Sequence, residues 1–172
     1  MRVVVIEPPE NVVTAEEAKS ARVFTDADDD DYVDMLLEIA QSEIDGPQGW
    51  LGRCIGEQQL QVTLPASADV RIDCLPYRPV TEIISDVLSD DGCTRVVDYW
   101  AGQPVEEVPK RIKHAIILMA GALRDATPDV GGFIKRETVD GIGSTEYSLP
   151  DGAADAMKSA AERLLASYRV FA

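Results

Sequence analysis

Val108-Pro109-Lys110-Arg111-Ile112-Lys113-His114-Ala115-Ile116-Ile117-Leu118-Met119-Ala120-Gly121-Ala122-Leu123-Arg124 is the stretch on which the reading of this sequence turns. Ile112, Ala115, Ile116, Met119, Ala122 and Leu123 fall on one side of a 3.6-residue period, the apolar face of an α-helix. Ile117, Leu118 and Ala120 widen that stripe, so the helix is expected to be buried on more than one side. Pro109 suits the first turn, where its missing amide costs nothing. Thr127-Pro128 closes the helix, because the residue before a proline is pushed out of the α region. A helix this apolar belongs at the centre of a core.

On its C-terminal side, Ile134 to Leu149 reads as a hairpin or loop containing Gly141-Ile142-Gly143. Pro150-Asp151-Gly152 then precedes a last helix, with Ala156, Met157, Ala160, Ala161, Leu164, Leu165 and Tyr168 on its buried face. On the other side the character changes. Gln58 to Leu64 alternates polar and apolar residues, Val70 to Leu75 alternates again, and Val80–Leu88 and Val96–Trp100 are rich in strand formers around a turn at Ser89-Asp90-Asp91-Gly92. Four antiparallel strands are expected there. Further upstream, Thr14 and Glu17 have capping-box spacing at the start of a short helix. Asp30 or Asp31 is expected to cap the next one, whose apolar face is Val33, Leu36, Leu37, Ala40 and Ile44. Gly46-Pro47 stops it. The expected fold is α+β, mostly α: a helical bundle around a long central helix with an inserted small antiparallel β segment. It reads as a single domain over 1–172, helical in 1–48 and 104–172 and β-rich over about 49–103.

At 172 residues and 45% hydrophobic composition the chain can bury a core without staples. Thirty-one acidic against sixteen basic residues give a net charge of −15. Such a field repels phosphate backbones and anionic lipid surfaces, so a general nucleic-acid or membrane binder is excluded. The charge is also uneven. Residues 1–107 carry 7 basic and 23 acidic side chains, net −16, while residues 108–172 carry 9 and 8, net +1. The two ends are thus expected to face different surroundings. No signal-peptide core and no apolar run of membrane-spanning length is present. Cys54, Cys74 and Cys93 form no CxxC pair, which indicates neither a zinc site nor a disulfide framework and fits a cytoplasmic chain with reduced thiols.

Candidate chemistry is sparse. His114 is the single histidine, and no cysteine or serine stands at a catalytic spacing beside it. Asp26, Asp28 and Asp30 occupy positions 1, 3 and 5 of a calcium-loop count, but Asp31 and Leu37 stand where that loop needs glycine and glutamate. Gly131-Gly132 and Gly141-Ile142-Gly143 lack the following Lys-Ser/Thr and the strand-to-helix setting of a phosphate cradle. No catalytic residue, metal ligand or cofactor is therefore expected.

The order of the motifs nevertheless resembles one family. Ile6-Glu7-Pro8-Pro9, then Val13-Thr14-Ala15-Glu16-Glu17-Ala18-Lys19, then an Asp-rich stretch before Tyr32-Val33-Asp34-Met35-Leu36-Leu37, look like the head–tail connector (adaptor) proteins of long-tailed phages and gene transfer agents. Gly52-Arg53, Pro79-Val80-Thr81-Glu82-Ile83, the Val108–Ile116 opening of the long helix and the closing Leu164-Leu165-Ala166-Ser167-Tyr168-Arg169 continue the likeness over nearly the whole chain. Two features depart from it. Ala120-Gly121-Ala122-Leu123-Arg124 stands where family members often carry Trp/Tyr-x-x-Arg, and the Asp26–Asp31 run is unusually dense.

The resemblance implies a non-enzymatic virion protein of the neck, made in the host cytoplasm. It would form a homo-oligomeric ring, typically twelve-fold, under the portal protein. The ring would extend the DNA channel and offer a platform to a stopper or tail-side neck protein. On that footing Asp28, Asp29 and Asp30 are candidates to line the channel, where carboxylates let duplex DNA slide without sticking. Tyr168, Arg169, Val170 and Phe171 are candidates for docking to the portal, since an aromatic and a branched side chain at a chain end gain nothing from water. The rival class is a soluble acidic enzyme or metal-dependent accessory protein.

Overall fold

Burial alternates along Gln58–Pro65 (β2) and Thr94–Ala101 (β4), with Gln58, Leu60, Val62, Val97, Tyr99 and Ala101 buried between half-exposed neighbours. That is the period of a sheet with one covered face. In this computed structural model, which describes residues 1–126, 137–139, 143–145 and 152–170, these two strands form the middle of a four-stranded antiparallel sheet. Val80–Leu88 (β3) pairs with the free side of β4, and Arg2–Glu7 (β1) with the free side of β2, giving the order β1-β2-β4-β3. The register runs Val3↔Val62, Val4↔Gln61, Val5↔Leu60 on one side of β2 and Leu60↔Tyr99, Val62↔Val97 on the other.

The helices are Ala15–Ser20 (α1), Asp30–Ser42 (α2), Lys110–Ala126 (α3) and Ala153–Leu165 (α4). The Thr14–Glu17 capping box forms as its spacing requires, with each side chain accepting from the other residue's amide. Val33, Leu36, Leu37 and Ala40 of α2 meet Ile112, Ala115, Ile116 and Ala120 of α3, and Ala161 and Leu165 of α4 close the cluster. Gly121 lets the segment after α1 lie close against α3, because a Cβ there would lie 2.5 Å from Val23 Cγ1. A second, smaller cluster lies on the sheet: Cys54, Leu60, Val62, Leu75, Val97, Tyr99 and Ala101. The molecule thus has a helical lobe and a sheet lobe, each with its own core.

This overturns the expectation of a mostly helical bundle around a long central helix. The chain is α+β, and its longest described helix, α3, has 17 residues. The sheet is not confined to an insertion over 49–103, because its fourth strand is β1, from a segment expected to be helical. Val70 to Leu75 is not a strand but a series of turns. Its contacts are made on the sheet's face instead of along an edge. It drops Leu75 into the core, and the Pro76 carbonyl accepts from the Tyr99 hydroxyl at 3.1 Å. Glu137–Val139 (β5) pairs antiparallel with Gly143–Thr145 (β6), within the stretch read as a hairpin or loop. Gly131-Gly132 and Gly141-Ile142 lie outside the described residues. Among the described residues no helix is long and apolar enough to cross a membrane.

Candidate functional site

The Asp26–Asp31 run forms the loop between α1 and α2 and the first turn of α2. Each of the three singled-out aspartates has a local task. Asp28 accepts from the Thr25 amide at 2.6 Å and the Thr25 hydroxyl at 2.9 Å, and these bonds, the amide's first, hold its carboxyl below the usual carboxylate range. Asp29, rather than Asp30 or Asp31, is the N-cap of α2, accepting from the Asp31 amide at 2.9 Å. Asp30 forms an ion pair with Lys19, whose ammonium also donates to the Asp28 carbonyl at 2.7 Å. Arg124 fastens the loop to α3: its guanidinium lies 5.0 Å from the Phe24 ring centre and donates to the Val23 carbonyl at 2.7 Å. The acidic run is therefore held in place on the surface, with Asp30 73% exposed.

The C-terminal candidates sit elsewhere. Tyr168 packs against the helical core, and the Arg169 guanidinium lies 5.6 Å from the ring centre of Trp50. The Val170 amide donates to the Leu51 carbonyl at 2.8 Å, while its side chain is 51% exposed. The segment is thus strapped along Trp50–Leu51, not frayed into water. Phe171 lies outside the described residues. A cleft of about 490 Å³ opens beside the strap, lined by Glu43, Trp50, Met119, Lys158, Glu162 and Arg169.

The most tightly organised polar group was not legible as a site. Asp45 is buried between the two lobes. Its Oδ1 accepts from the Ile55 amide at 2.7 Å and Gln58 Nε2 at 2.9 Å, and its Oδ2 from the Gly56 amide at 3.0 Å and Gln41 Nε2 at 3.3 Å. Gln41 in turn accepts from the Val12 amide and donates to the Glu10 carbonyl, both at 3.0 Å. Gly102 seals the knot: at φ +106° a side chain there would be strained, and its Cβ would lie 1.9 Å from the Gly56 carbonyl oxygen. Burial pushes the Asp45 carboxyl above its ordinary value against the pull of these donors. A carboxylate offers about four acceptor sites, and four donors fill them here. Asp45 is a brace, with no lone pair left for acid–base work on a ligand. The only hint in the sequence is its place four residues after Gln41, beside the stop at Gly46-Pro47.

The remaining reactive side chains do not converge. His114 is exposed at the rim of a small cleft with Glu17, Glu106 and Lys113. Cys54 is buried in the sheet core, where burial pushes its thiol up and out of nucleophilic use, while Cys74 and Cys93 are exposed. Among the described residues no three His, Cys, Asp or Glu side chains come together as a metal site. Comparison with family models, with curated proteins and with solved structures finds no match.

Proposed function

We propose that the chain is a structural subunit of a phage-type head–tail connector, a ring that prolongs the DNA channel below the portal and receives the next neck protein. The observation that carries the reading is the Asp26–Asp31 loop. Of its five aspartates in six residues, Asp28 and Asp30 are held by Thr25 and Lys19, and Arg124 anchors the preceding Val23–Phe24, without the carboxylates being gathered around a ligand site. A fixed carboxylate surface suits a wall past which DNA must slide, because it repels phosphates over about a Debye length, roughly 8 Å at physiological salt. The ordered likeness of the sequence motifs to connector proteins supports the same role. Docking to the portal is assigned to the Tyr168–Phe171 end, of which Arg169 and Val170 are held on Trp50 and Leu51 beside a cleft that mixes apolar and charged walls.

The test is reconstitution on portal-bearing heads that lack their neck. The full chain is expected to add as a ring, visible by electron microscopy. Asp29→Asn combined with Asp30→Lys keeps a capping side chain while cutting the charge of the run from −5 to −2. That variant should assemble but slow genome release. Heads that never acquire the chain would refute the connector role, and release at the normal rate would refute the channel-lining role of the loop.

A further inference from the structure

The geometry points to self-association of this chain through the outer edge of β1, making one antiparallel sheet continuous across two copies. An edge strand bonds its neighbour through one side of its backbone only, and the other side is left as a row of amides and carbonyls able to template a further strand. Both ends of this sheet have such an edge among the described residues, yet they differ in protection. β3 has irregular pairing between Val80 and Glu82 and between Ile83 and Ser85. A two-fold self-pairing centred on Ile84 would also set Glu82 opposite Asp86 of the second copy, a like-charge clash. β1 has one such irregularity, between Val5 and Glu7, and no like charges that a two-fold self-pairing would set against each other. Arg2-Val3-Val4-Val5-Ile6-Glu7 is four apolar residues between a positive and a negative end, with Val4 38% and Ile6 51% exposed.

The occupant follows from that charge pattern. Read antiparallel against itself about Val4, β1 places Val4 on Val4, Val3 on Val5, and Arg2 against the Ile6–Glu7 end of the second copy, where the pairing with β2 is already irregular. Each end then carries an Arg2–Glu7 pair of opposite sign. Facing residues in an antiparallel ladder share a face, and the faces agree. Val3 and Val5 sit opposite the buried Val62 and Leu60 and pack on the sheet core, whereas Val4 sits opposite Gln61 on the other face. The two small sheet cores would become one continuous apolar surface, and exposed Val4 and Ile6 would gain cross-strand neighbours. This inference does not rest on the connector reading.

Sedimentation velocity of the full chain at micromolar concentration tests it. A dimer that dissociates on dilution is expected. Val4→Lys brings two ammonium groups face to face on the two-fold axis and should weaken the dimer by at least about tenfold, with an unchanged far-UV circular dichroism spectrum. Arg2→Glu alone should also weaken it. Arg2→Glu with Glu7→Arg, which restores opposite signs at both ends, should return it to the wild-type level, and this swap decides the matter if Val4→Lys fails to fold. A monomeric wild type, an assembly that folded Val4→Lys leaves intact, or a double swap no better than the single one would overturn the inference.

Discussion

The helical and sheet lobes are built to different standards. Among the described residues the helical core contains 21 buried apolar residues, drawn from all four helices and the segments around them. The sheet core has seven, from two strands, the crossing segment and Cys54 ahead of β2, and the sheet's other face carries Gln59, Gln61, Thr63 and Asp98 in half-exposed positions. A sheet needs a well-covered face or a packed partner for independent stability, so the sheet lobe leans on the helical one. What joins them is chiefly polar. Asp45 follows α2, yet three of its four donors belong to the Ile55–Gln58 entry into β2. The lesson is that burying a charge here serves position: one saturated carboxylate sets where the sheet begins relative to the helices.

The largest expected effect therefore comes from Asp45→Ala. It leaves the Ile55 and Gly56 amides and two glutamine side chains without their acceptor in a buried site, and should cost about 3 kcal/mol or more in urea unfolding. A loss no greater than that of a surface substitution would mean that the lobes are joined by something else. Gly102→Ala strikes the same junction from the side, through strained backbone and a blocked Gly56 carbonyl, and should cost about 1–3 kcal/mol.

Acidity sharpens the contrast further. Because the Asp45 carboxyl is raised above its ordinary 3.8, its contribution to stability is fully present below that value and is lost as pH rises through the folded-state value. Asparagine does not titrate. The advantage of the wild type over Asp45→Asn should hence be greatest below pH 3.8 and shrink as pH rises above it; an advantage that grows with pH would contradict the assignment. The surface aspartates should behave unlike Asp45. Asp29→Ala removes a helix cap and should cost about 1 kcal/mol. Asp30→Asn disturbs an exposed pair, and its unfolding midpoint should stay within error at physiological salt.

Local features were legible in the sequence where one residue acts on its near neighbours. The Thr14–Glu17 box, the apolar stripe of α3 and the alternation of β2 each declare themselves within a few residues. The misreadings are long-range. β1 is a short, continuously apolar run without alternation, and its partner lies some sixty residues downstream, so nothing local marks it as a strand. Val70–Leu75 alternates as a strand would, yet forms turns that carry Leu75 into the sheet core, a long-range contact that local alternation does not show. Asp29 outcompetes Asp30 and Asp31 as cap through a backbone angle that composition does not reveal. Asp45 resembles thirty other acidic residues until folding surrounds it with donors.

The two tryptophans allow the lobes to be followed separately, since Trp50 packs on the helical core and Trp100 lies in β4. Trp100→Phe leaves a reporter of the first and Trp50→Phe a reporter of the second. Urea unfolding should give coincident transitions for both reporters when Asp45 is present. With Asp45→Ala added, the Trp100 transition should move to lower urea and separate from that of Trp50. Transitions that remain coincident after Asp45 is removed would show that the sheet does not depend on this brace.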